Sequence, residues 1–241
     1  MTSAEFTKQA YAALKTDRRI DPHFRATTLE LDTEGTVTLE GEVGTVGQKR
    51  LVLERIAALP GVSGIVDRLR VKPAEAMSDA GILDHIRKAL LQEPAFQSIR
   101  IAEERDHTVH VLNDLPEGAD GEIVISVSDG VVTLNGELPS LTSKRIAGVL
   151  AWWVPGSCDV INGISVEPEE EDAPIRIEEA VHLALELDPF VNASQVRVGV
   201  RGRAVRLTGL VGSQAERTAA EADAWYVFGV DEVINEIEVQ D

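Results

Sequence analysis

TVTLEGEV (36–43), VVTLNGEL (131–138) and AVRLTGLV (204–211) are three versions of one stretch. Each alternates apolar and polar residues, the period of a strand with one buried face, and each then places a glycine: Gly41, Gly136 and Gly209. Twenty residues beyond comes a second glycine, at Gly61, Gly156 and Gly229. Six residues further lie Asp67, Asn162 and Asn235, and ten beyond the second glycine lie Val71, Val166 and Val239. Spacing that recurs three times defines an internal repeat.

Working outward, each copy is preceded by a helical pattern that ends in an acidic–Pro–Phe cluster: DPHF at 21–24, EPAF at 93–96 and DPF at 188–190. Proline ends the helix because it lacks an amide donor and restricts the residue before it. From that proline to the first glycine is 19 residues in the first copy, 20 in the third and 42 in the second, so the second carries an insertion of about 22 residues, near 100–121. Between the two glycines the pattern turns helical. SQAERTAAEADAWYVF places Ser213 as an N-cap with Glu216 as its capping-box partner. A last alternating run closes each copy. The order is helix–strand–strand–helix–strand. The first two strands form a hairpin and the second and third are joined by a right-handed crossover.

The expected fold class is therefore α+β: three tandem αββαβ two-layer domains, each a mixed three-stranded sheet with two helices on one face. The expected boundaries are 1–73, 74–170 and 171–241, at the polar joints KPAEAMS (72–78) and EPEEEDAP (167–174). The second joint is expected to be solvated and extended.

Composition excludes several functions. The 241 residues carry a net charge of −18. Residues 1–73 are near neutral, with 11 basic and 10 acidic residues, whereas 74–172 hold 6 against 19 and 173–241 hold 6 against 12. Such a chain repels nucleic acid and anionic lipid at long range, although Lys15, Arg18 and Arg19 form a local basic patch. The longest uncharged run, 146–158, is too short to span a bilayer, and Glu5 and Lys8 interrupt the start where a secretory signal would be apolar. A lone cysteine, Cys158, excludes an internal disulfide. It reads as a small buried hydrophobe.

Candidate chemistry is sparse. Gly41, Gly44 and Gly47 make no phosphate-binding motif. The acidic run 114–122 does not match an EF-hand. His107 and His110, with Asp106 or Asp114, are the best candidates for a metal, yet HTVH reads equally well as a strand, where residues three apart face opposite ways. No metal, cofactor or catalytic residue is expected. Asp67, Asn162 and Asn235 share the parity of buried residues and so should hydrogen-bond the adjacent backbone. Trp152 and Trp153 end the second helix of the second copy, Trp225 and Tyr226 stand at the same places in the third, and the first has Ala57 and Ala58. Adjacent helical residues point about 100° apart, so one sheet cannot bury both rings of a pair. These four are the expected interaction surface, toward a neighbouring copy, another protein or a second copy of the chain, or a phospholipid surface.

The repeat resembles the BON family, on VTLEGEV (37–43), VTLNGEL (132–138) and VRLTGLV (205–211), on PGV (60–62), PGS (155–157) and FGV (228–230), and on the closing VINGISV (160–166) and VINEIEV (233–239). The resemblance implies a bacterial, non-enzymatic binding protein. Many members are exported to the envelope and associate with phospholipid. Some that lack a signal are cytoplasmic, including one that carries a LysM domain and binds potassium. The expectation is a cytoplasmic binding or stress-associated adaptor, with phospholipid or envelope-surface binding as the alternative.

Overall fold

The computed structural model describes residues 3–115 and 118–240. It forms two compact units, Met1–Lys72 and Pro73–Asp241. The first unit holds the first copy: α1 (Ser3–Leu14), β1 (Thr28–Leu31), β2 (Thr36–Val43), α2 (Val46–Ala57) and β3 (Gly64–Val71). β1 pairs antiparallel with β2, and β2 parallel with β3. Val37, Leu39, Leu69 and Val71, all of one parity, are buried with Phe6, Ala10 and Leu14 of α1 and Leu51, Val52 and Ile56 of α2.

The second unit begins with α3 (Asp79–Gln92), β4 (Ile99–Arg105), β5 (Thr108–Val111), β6 (Gly121–Ser128), β7 (Val131–Leu138), α4 (Leu141–Trp152), β8 (Asp159–Asn162) and β9 (Ser165–Val166). It continues with α5 (Pro174–Leu187), β10 (Val196–Arg201), β11 (Ala204–Val211), α6 (Gln214–Tyr226) and β12 (Glu232–Val239). The third copy repeats the first: β10–β11–β12, antiparallel then parallel.

The middle copy departs from the uniform three-stranded scheme. Its sheet has six strands in the order β5–β4–β6–β7–β8, with β9 also on β7. The inserted residues supply β4, which lies parallel to β6, and β5, which returns antiparallel to β4. The signal was present in the alternation of Ile99 and Ile101, both buried. The expected last strand, 160–166, is split into β8 and β9 at Gly163. Pro116 and Glu117 of the insertion lie outside the described residues.

Local chemistry fixes the hairpins and helix starts. Asp129 and Gly130 both take positive φ in the β6–β7 turn, the shape that matches strand twist. Asp79 locks that turn by accepting the N–H groups of Asp129 (2.9 Å) and Gly130 (2.8 Å). Thr45, Ser140 and Ser213 cap α2, α4 and α6 through the N–H three residues on. Glu216 does not close the expected capping box on Ser213. Its carboxylate instead accepts from Gly212 N (3.0 Å) and Asn192 N (2.9 Å), tying the helix start to the loop before β10. At Gly136 and Gly209 a Cβ would stand 2.1 Å from Glu122 O and 2.0 Å from Gln195 O. The neighbouring strand passes too close for any side chain there.

Candidate functional site

α4 is buried from Arg145 to Ala151 without a break. A helix lying on one sheet has a solvent face, and α4 has none, because α5 and α6 of the third copy pack against it. The seam is built around Arg145, which is 1% exposed. Its Nε donates to Phe228 O at 2.8 Å, and Nη2 pairs with Asp172. Lys144 sits 5.4 Å from the centre of the Phe228 ring, and burial lowers its pKa. The joint 167–174 is therefore not simply solvated. Besides Asp172, Glu170 accepts Leu141 N (2.8 Å) at the start of α4, where helix N–H groups lack partners.

Three of the four aromatic residues lie in this seam. Trp152 and Tyr226 stack across it, with centroids 6.1 Å apart and planes at 12°. Trp153 Nε1 donates to Asp223 Oδ1 at 2.9 Å, and Trp225 is buried. Asp223 is 2% exposed. Its burial, and then the Asp188 carboxyl, push it up to about 8 against the lowering effect of the Trp153 hydrogen bond. Burial also raises Tyr226, helped by Asp223 and Asp188.

The repeat's polar positions all bind the main chain. Asp67, Asn162 and Asn235 each accept the N–H two residues on, from Leu69 (2.9 Å), Ile164 (3.4 Å) and Ile237 (3.1 Å). The other end of each reaches the second helix. Asp67 pairs with Lys49 (3.0 Å), whose Nζ also donates to Leu69 O. Asn162 donates to Lys144 O (2.7 Å), and Asn235 to Arg217 O (3.1 Å). Lys49, Lys144 and Arg217 all stand eight residues after the first glycine.

The remaining candidates are dispersed. His107 lies with Asp106 in the β4–β5 turn, both at positive φ, while His110 is in β5. Among the described residues no group of three or more His, Cys, Asp or Glu is placed to hold a metal. Cys158 is half-buried rather than buried, with Sγ 3.4 Å from Asp129 O. Arg19, part of the basic patch, is tied to Asp17 (2.8 Å), which also binds Arg55 (2.9 Å). Asp17 is held well below the usual carboxylate range, first by the Arg19 hydrogen bond.

Two features went unread in the sequence. Phe24 and Phe96 are buried, but Phe190 is 80% exposed. The first two follow their prolines by two residues and Phe190 follows by one, so Val191 takes the buried place. The second feature is an open groove of about 330 Å³ between α5 and β10. Its apolar residues are Ile175, Leu183 and Val198, and Glu178, Glu179, His182 and Glu186 also line it.

A protein-family model for the BON domain matches residues 3–73, 108–168 and 176–241. The chain belongs to the BON domain family, a non-catalytic one, and carries three of its domains. No curated protein matches the chain. Two solved structures are similar over nearly the whole chain, both of CdsD, a structural protein of the type III secretion system of Chlamydia trachomatis. One, of its C-terminal domain, is 15% identical with a TM-score of 0.25 and covers 100% of each chain. The other is 16% identical with a TM-score of 0.24 and covers 98% of this chain and 92% of that one.

Proposed function

We propose that the protein is a non-catalytic bacterial adaptor that binds other proteins in the cytoplasm, with a stress-associated role, through surfaces of three BON domains. The observation that carries this reading is the fate of the aromatic residues. The stack of Trp152 on Tyr226 and the Trp153–Asp223 bond join the second and third domains into one unit. A chain that spends its largest rings on fixing two domains together behaves as a scaffold. Charge supports it, since a net −18 opposes anionic headgroups. Among the described residues no helix is long and apolar enough to cross a membrane.

Phospholipid or envelope-surface binding is the second reading. The exposed Phe190 favours it, together with Lys15 and Arg18, which are exposed. Co-sedimentation with anionic and with zwitterionic vesicles, at low and at physiological salt, separates the two. The adaptor reading expects no sedimentation in any condition and a specific partner in a pull-down from the native host. Strong vesicle binding that is lost in Phe190→Ser would replace it with the lipid reading.

A further inference from the structure

The three copies treat one place differently: the outer edge of the first hairpin strand, beside the first helix. Ile125 of β6 pairs with Leu134, and Val198 of β10 pairs with Leu207, each two residues before the repeat's first glycine. They are the same position. Ile125 is fully buried and Val198 is half-exposed. The difference is β4. In the second copy it adds to the edge of β6, with Ile101 beside Ile123 and Glu103 beside Ile125, both buried.

The helix position eleven residues before the proline changes with it. In the first copy this is Tyr11, whose hydroxyl accepts Ala26 N at 3.1 Å just before β1 and whose ring lies under Arg25. In the second it is Leu83, which is buried. In the third it is Glu178, which lines the open groove. In the first copy Tyr11 ties down the chain just before β1 while the equivalent Leu29 stays half-exposed on an edge strand, whereas the second copy closes the place with a strand. Among the described residues no strand covers the outer edge of β10.

We propose that the edge of β10 and the groove beside α5 are a docking site for an extended segment of a partner protein, which adds parallel to β10 as β4 adds to β6. Main-chain hydrogen bonds to the edge supply affinity, and alternate side chains supply specificity. The chain's own sequence sets the chemistry. The parity facing the helix needs apolar residues beside Val196. Beside Val198, where the second copy has Glu103, it needs Lys or Arg, because Glu178, Glu179 and Glu186 line the groove. Arg176 engages Glu179 and His182 engages Glu186, leaving Glu178 as the principal acid toward the guest. The other parity lies beside Arg197 and Arg201 of β10 and calls for Asp or Glu. The same parity of the second copy carries the cross-strand pair of Arg100 with Glu122. The occupant is thus an apolar-then-basic strand with acidic residues between. This site rests on the adaptor reading and names where and what it binds.

The test is an amide NMR titration of the full chain with a capped heptapeptide, IEIEKEK. A control carries proline at its third and fourth positions, so that a sheet-facing donor is lost in either register. The expected result is saturable binding, with a dissociation constant of about 10–300 μM and shifts confined to β10 and α5. Binding should weaken about tenfold or more with the proline control and with the Glu178→Lys, Glu186→Lys variant, whose own spectrum shows it folded. No shift at about 1 mM peptide, or equal binding of the proline control, overturns the proposal. Shifts of the same amides with protein concentration alone assign the edge to a second copy, and shifts with vesicles assign it to lipid; either overturns it. A partner captured from the host by a protein that ignores the peptide leaves the adaptor reading standing and removes only this site.

Discussion

Asn235 shows why a polar residue recurs at a buried parity. Its side chain accepts Ile237 N and donates to Arg217 O and Glu221, so one group closes the last strand onto the second helix. Asn235→Ala leaves these partners unsatisfied and is expected to cost about 1–3 kcal/mol in urea unfolding. An unchanged midpoint would show that the bridge is incidental. The phenylalanines make a sharper comparison. Phe96 is buried and Phe190 exposed despite their matching acidic–Pro contexts. Phe96→Ala is expected to cost about 3–5 kcal/mol. Phe190→Ala should stay within about 0.5 kcal/mol, since a surface substitution removes little packing. Equal losses in the two variants would refute this assignment.

At the scale of elements, α4 decides how two copies become one unit. Arg145→Ala removes the donors to Phe228 O and Asp172, with an expected cost of about 1–3 kcal/mol. It should also speed proteolytic cleavage within 167–174, where Asp172 is held by Arg145 and Glu170 by the N-terminus of α4. An undiminished resistance to protease would mean that the joint is held some other way. The helices, hairpins and crossover of each copy were legible because every one follows from a local period, a cap or a turn residue. The seam was only half legible. The paired rings at 152–153 and 225–226 marked a contact that one sheet could not supply, but periodicity says which face is buried and never against what. Of the two inserted strands, β5 was legible in HTVH, and β4 was missed for a related reason. Ile99 and Ile101 alternate correctly, yet β4 finds its partner across a loop through a parallel pairing that no turn signature announces. The exposure of Phe190 went unread because it rests on a one-residue change of spacing, which moves a side chain from core to solvent.

The whole molecule carries a report of its own second unit. All three tryptophans, Trp152, Trp153 and Trp225, lie at or beside the seam within residues 73–241, so intrinsic tryptophan emission follows that unit and not the first. Its stability should depend on pH through Asp223. This carboxyl is raised from 3.8 to about 8 by burial and by Asp188, so the native unit holds a proton there that the unfolded chain releases. Stability is then full below the unfolded value and falls as pH rises toward the folded one, by at most about 1.4 kcal/mol per pH unit. The direction is opposite to that of an ion-paired carboxylate, and Asp17 of the first unit, held low by Arg19 and Arg55, supplies that contrast within the same chain. Asp223→Asn keeps an oxygen for Trp153 Nε1 and carries no charge, so its urea midpoint by tryptophan emission should be level between about pH 5 and about pH 8. The unsubstituted chain should lose stability steadily over that range. Parallel profiles for the two proteins would place the titrating group elsewhere and leave Asp223 as an ordinary hydrogen-bond acceptor at the seam.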